Sequence, residues 1–161
     1  MNSYSEKFEK MRIAGKLAAQ TLDMLTENIK EGISTAQIDK LGYEFIRDNG
    51  GYSAPLYYRG FTKSLCTSLN HVVCHGIPSE ERILEEGDAV NVDVTAIIDN
   101  HYGDTSRMFC IGKTSVKLNN LIDATHESMM RALIIDSWVA SIRLFNLTEV
   151  LPIQNILLVS P

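Results

Sequence analysis

The feature that most limits what this chain can fold into is a run of alternating residues. From Asp88 to Asp99, Val90, Val92, Val94, Ala96 and Ile98 alternate with Asn91, Asp93, Thr95 and Ile97. A period of two puts the first set on one face of a strand and the second set on the other. Asp99-Asn100 is a turn signal, and His101 to Ile111 reads as the returning strand. Gly103, inside that strand, marks a bulge or a close-approach site. Such a hairpin has one strongly apolar face, which another layer must cover.

Helices flank it. Met11, Ala14, Ala18, Leu22, Leu25 and Ile29 recur at spacings of three and four, with Ser3 and Glu6 as a capping box and Gly32 as the stop. Ser34 and Gln37 form a second capping box before the stripe Ile38, Leu41, Phe45, and Asn49-Gly50-Gly51 ends it. Phe61 to Leu69 and Val72 to His75 read as two strands around Asn70-His71. A third helix is expected from about Asn119, using Leu121, Ile122, Thr125, Met129 and Ala132. Two helices, two hairpins and a helix make an α+β chain with an antiparallel sheet, not alternating βαβ units. No glycine-rich phosphate loop appears.

Composition excludes several classes. Lys+Arg 15 against Asp+Glu 20 gives a formal charge of -5, which argues against recognition of nucleic acid or anionic lipid. The N-terminus lacks a signal-peptide core, and no apolar run approaches the roughly 20 residues of a bilayer span. Cys66, Cys74 and Cys110 form no CxxC pair. A disulfide framework and a cysteine zinc site are both poor readings, and a reducing, cytoplasmic setting is the default.

Asp93 stands among valines, where a strand disfavours it. If Asp99-Asn100 is a two-residue loop, Ile98 opposes His101, Ala96 opposes Gly103 and Thr95 opposes Asp104. Asp93 and Asp104 are then diagonal neighbours on one face, roughly 7–8 Å apart in the backbone. Carboxylates that close repel unless protonated or bridged by a cation, and two divalent metals would suit them. The alternative is a solvated Asp93 and an Asp104 that caps a turn. A one-residue slip would separate the two.

His75 precedes Gly76 and Pro78 at a strand end, and the hairpin around Asn70-His71 would pair it with Cys66. A Cys-His nucleophile is the other reading of that pair, disfavoured because nothing orients the His. A structural, hydrogen-bonded His75 is the plainer one. His71, His101 and His126 read as surface or turn residues. Tyr57, Tyr58 and Phe61 taken alone read as core packing.

The segments Ser53-Ala54-Pro55-Leu56-Tyr57-Tyr58-Arg59-Gly60-Phe61-Thr62-Lys63-Ser64, Cys66 to Pro78, Gly87 to Thr95 and Gly103 to Phe109 together resemble the type I methionine aminopeptidases. The resemblance implies the pita-bread fold of two pseudo-symmetric α+β halves. It implies removal of the initiator methionine from nascent proteins by metal-activated water, in the cytoplasm, by a monomer with the ribosome as a partner. It implies two divalent cations (Co, Mn, Fe, Zn or Ni) held by two Asp, one His and two Glu, with Asp93 and Asp104 at the Asp positions. By the same resemblance His75 binds substrate near the scissile amide and has a catalytic role. Tyr58, Phe61 and Cys66 line the pocket for the methionine side chain, and Asn70 and Val72 hold Na or K.

The resemblance runs to about Ala132. Residues 1–132 therefore read as the N-terminal half of the domain, and 133–161 as a divergent hydrophobic tail whose only charges are Asp136, Arg143 and Glu149. The remaining His and two Glu ligands are not matched there. The expectation is a truncated, inactive form. The competing readings are a pseudoenzyme or partner-binding module of the same fold, and a relative that cleaves Xaa-Pro bonds. Cys66, Tyr58 and Phe61 favour methionine over the latter.

Overall fold

The computed structural model describes residues 4–144. The chain divides into two compact units after Val116. In the first, α1 (Tyr4–Thr26) and α2 (Thr35–Asp48) precede β1 (Tyr52–Ser53), β2 (Cys66–Leu69), β3 (Ala89–Ile98) and β4 (His101–Cys110). The second holds α3 (Val116–Leu144). This is an α+β arrangement with an antiparallel sheet.

The sheet is organised by β3. β4 runs along its whole length, while β1 and β2 pair end to end with the opposite edge: Tyr52 with Ile97, Ser53 with Ala96, Cys66 with Asp93 and Leu69 with Val90. Val90, Val92, Val94 and Ala96 are fully buried. They pack with Leu17, Ala18, Leu22 and Leu25 of α1 and with Ile38 and Ile46 of α2. Each fully buried Val or Leu contributes about 1.5–3 kcal/mol, so this face holds the layers together and leaves the odd-numbered residues of β3 on the other.

α1 buries Ala14, Leu17, Ala18, Thr21, Leu22 and Leu25, while Met11 is half exposed. The helix stops at Thr26, earlier than Gly32, because the Asn28 side chain donates to the Met24 carbonyl (2.9 Å) and closes the last turn. Ser3 lies outside the described residues. The second capping box forms as read: the Gln37 N–H donates to Ser34 Oγ (3.1 Å) and the Ser34 N–H to Gln37 Oε1 (3.0 Å).

Three expectations need correction. Phe61 to Leu69 is extended only from Cys66, after a short 3-10 turn at Tyr58–Gly60 that is preceded by left-handed Tyr57 and contains left-handed Arg59. Val72 to His75 is not a strand, so the sheet contains one hairpin, not two. Asn70 and His75 both take positive φ, and the Asn70 carboxamide bonds Asp88 (2.8 Å) and the Ala89 N–H (3.0 Å), turning the chain toward the start of β3. Finally, α3 begins at Val116, not Asn119. The tail is helical to Leu144, and the rest of it lies outside the described residues.

Candidate metal and substrate site

The hairpin register is Ile98↔His101, Ala96↔Gly103, Thr95↔Asp104 and Asp93↔Ser106. A two-residue loop whose residues both have positive φ, Asp99 at 48° and Asn100 at 59°, matches the right-handed strand twist, which explains why it fixes this register. No bulge interrupts the ladder. Gly103 instead serves close approach: a Cβ there would lie 2.2 Å from the Ala14 carbonyl of α1.

Asp93 therefore projects from the face opposite the valine core, half-buried, with Cys66 across one edge and Ser106 across the other. Asp104, exposed, is the diagonal neighbour. The two carboxyl groups share one face, close enough for Asp104 to act on Asp93. Burial, then the charge of Asp104 and the hydrogen bond to it, raise the Asp93 pKa above the ordinary aspartate value. The charge of His75 opposes this in part. His75 therefore lies close enough to Asp93 to act on it, on an exposed turn.

Cys66 is buried. Loss of hydration, followed by the charges of Asp93, Cys74, Asp39 and Asp104, pushes its thiol up to about 11. Its cross-strand partner is Asp93, which replaces the expected pairing with His75. The two segments are linked instead by bonds from the Thr67 N–H to the Gly76 carbonyl (2.9 Å) and from the Gly76 N–H to Ser68 Oγ (3.2 Å). A thiol held neutral is unsuited to nucleophilic attack. Cys66 and Cys74 are free thiols.

Tyr57 and Tyr58 are exposed and do not pack in the core. With Phe61 they occupy the loop that leads into β2, where the Tyr57 N–H donates to the Phe61 carbonyl (2.7 Å) and the Phe61 N–H to the Tyr58 carbonyl (2.9 Å). The Val72 N–H donates to the Leu69 carbonyl (3.0 Å) in the Asn70 turn. His71 and His126 are exposed, and His101 Nδ1 bonds the Asp99 carbonyl (2.6 Å) at the hairpin turn.

The donor chemistry fits a divalent cation: two hard oxygen ligands on adjacent strands, diagonal on one face. Among the described residues no third His, Cys, Asp or Glu joins them in a metal-holding group. Two concavities of about 490 and 540 Å³ lie elsewhere, around Phe8 and Met11 and around Lys30 and Lys40. It is the chemistry of the hairpin, not a cavity, that marks this face.

One residue near the site escaped the sequence reading. Asp39 shares the buried stripe of α2 with Thr35, Gly42 and Ile46 and bonds to the residues just before Cys66. A carboxylate on an apolar helical stripe was the available signal.

The profile of metallopeptidase family M24 matches residues 9–135. The chain is 50% identical over 131 residues to a methionine aminopeptidase of Rickettsia prowazekii, covering 81% of this chain and 50% of that protein. It is 46% identical over 129 residues to the one of Escherichia coli strain K12, covering 80% and 49%. The crystal structure of the Rickettsia prowazekii methionine aminopeptidase superposes with a TM-score of 0.77 at 48% identity, covering 81% of this chain and 52% of that one. The fold is accordingly of the pita-bread type, and the chain spans about half the length of the curated relatives it matches.

Proposed function

Because the chain belongs to metallopeptidase family M24, we propose that its hairpin face is part of a methionine aminopeptidase site. In this reading Asp93 and Asp104 hold two divalent cations of the Co, Mn, Fe, Zn or Ni group. When bound, such cations supply Lewis-acid activation of water for peptide hydrolysis. The chain's own residues bind and orient. His75 hydrogen-bonds the substrate beside the scissile amide. Tyr58, Phe61 and Cys66 enclose the methionine side chain, whose flexible thioether suits an aromatic and sulfur-lined wall. Asn70 and Val72 take Na or K. The substrate is the N-terminal methionine of nascent polypeptides, met in the cytoplasm at the ribosome. Residues 1–132 form the family half-domain, and 133–161 depart from it.

The observation that supports this reading most is the Asp93–Asp104 pair, diagonal across β3 and β4, in which burial and Asp104 raise the Asp93 pKa. Like charges placed together on an otherwise well-packed sheet cost stability, which a bound cation offsets. Two carboxylates fill a minority of the coordination positions of such ions, so a polypeptide of these 161 residues binds them weakly. Loss of a general base alone costs about 10²–10⁴-fold in rate, and loss of substrate orientation adds to it.

The test is Mn²⁺ titration of the chain by calorimetry, with methionine release from a Met-Ala-Ser peptide followed in parallel and Asp104→Ala as the control. Weak binding that disappears in the variant, with release at trace level, is expected. Mn²⁺ bound equally by Asp104→Ala would overturn the site. Robust turnover abolished by the same substitution would overturn the expected inactivity, and metal binding with no release in any condition would favour a non-catalytic, partner-binding role.

A further inference from the structure

Asp39 is only 9% exposed on α2, where a carboxylate survives only if its oxygens are bonded. One oxygen, Oδ1, accepts three hydrogen bonds: from the Ser64 N–H (2.8 Å), the Ser64 hydroxyl (2.6 Å) and the Leu65 N–H (3.0 Å). The Ser64 hydroxyl also lies 3.2 Å from the Asp39 carbonyl. Ser64 and Leu65 are the two residues immediately before Cys66, where β2 begins.

A strand alternates its side chains, so the phase in which the chain enters β2 decides whether Cys66 or Thr67 shares a face with Asp93. Two features of α2 act on that entry point. The Asp39 carboxylate holds both backbone N–H groups. The absence of a side chain at Gly42 leaves room for Leu65, whose Cδ2 would lie 2.5 Å from a Cβ there. Leu65 is fully buried. Packing alone seats one side chain, whereas the three bonds to Oδ1 set the backbone direction.

We infer that Asp39 is a positioning residue: its carboxylate clamps Ser64 and Leu65 and thereby sets the Cys66 sulfur beside Asp93 on the polar face of the sheet. The functional meaning of the clamp rests on the proposed site, since Cys66 lines a methionine pocket only under that reading. The clamp acts on specificity, through the pocket wall, and leaves the metal carboxylates on β3 and β4 in place.

The test is native alkylation of Cys66 by iodoacetamide in the full chain, read by peptide mass spectrometry over urea concentrations below the unfolding transition. In Asp39→Asn an amide oxygen takes the place of Oδ1, and the rate stays within about threefold of the unsubstituted chain. In Asp39→Ala two buried N–H groups lose their acceptor, and the rate rises at least roughly tenfold. That rise is nearly independent of urea, because a local segment opens and little surface is exposed. Ser64→Ala removes one donor, keeps both backbone bonds and falls between; if Asp39→Ala does not fold, a rise above about threefold in this variant, nearly independent of urea, decides. An unchanged Cys66 rate, or a rise that carries the full urea slope of global unfolding, overturns the clamp. Mn²⁺ affinity is the separate arm. It is unchanged in Asp39→Asn, and a chain that binds no Mn²⁺ at all overturns the functional reading while leaving the alkylation result to stand on its own.

Discussion

Replacing Asp93 with Asn removes a charge that the fold tolerates poorly without a cation. Burial and Asp104 raise the Asp93 pKa in the folded chain above its value in the unfolded one. The protonated form therefore favours the fold. That contribution is complete below the unfolded aspartate pKa and is lost as pH rises through the folded one, so at neutral pH the ionised pair destabilises. At the roughly 7–8 Å of such a diagonal, two unit charges repel by about 0.5–2.4 kcal/mol for effective dielectric constants between 80 and 20. Asp93 is half-buried and Asp104 exposed, so solvent screening argues for the lower part of that range, about 1 kcal/mol. In chelator at pH 7, Asp93→Asn should raise the unfolding free energy by that amount, seen as a higher urea midpoint, and the gain should shrink toward pH 4. With Mn²⁺ at tenfold its Kd the order reverses, because the unsubstituted chain gains about 1.4 kcal/mol from binding and the variant does not. The assay is urea unfolding followed by circular dichroism in EDTA and in MnCl₂, at pH 7 and pH 4. A variant no more stable than the parent in EDTA at pH 7 would refute the reasoning, since the pair would then carry no repulsion for a cation to relieve.

Further outcomes are expected from the same structure. Gly103→Ala should lower stability by about 1–3 kcal/mol or more, because its Cβ meets α1 backbone that no rotamer change can move; an unchanged urea midpoint would contradict the close approach. At pH 8 the unsubstituted chain should alkylate at exposed Cys74 well before Cys66, whose thiol is buried and pushed up to about 11; equal rates in peptide mass spectra would show that Cys66 is not protected. Ser34→Ala should cost about 1 kcal/mol by removing the acceptor of the Gln37 N–H; a loss below a few tenths in urea unfolding would mean that Gln37 alone closes the cap.

The parts of the fold that could be read from the chain are those decided between near neighbours. The α2 capping box lies within four residues, and the β3–β4 register follows from a two-residue turn whose Asp and Asn accept positive φ. Because that register was local, the diagonal placement of Asp93 and Asp104 could be read as well. The second hairpin failed for the opposite reason. Cys66 to Leu69 could extend beside either Val72 to His75 or β3, and extended propensity does not choose between partners. Left-handed backbone at Asn70, held by its contacts with Asp88 and Ala89, and at His75 excludes the nearer one.

The polar and apolar faces of the central hairpin, the helix N-cap at Ser34 and the resemblance that names the family follow from residue types at short, regular spacing. Long-range packing sets the rest: β1 and β2 share one edge of β3, Gly103 is where α1 touches the sheet, and Asp39 reaches Ser64 and Leu65. Each of these joins residues far apart in the chain. Which distant groups meet is settled by the simultaneous packing of both helices on the valine face, and no local preference encodes that choice.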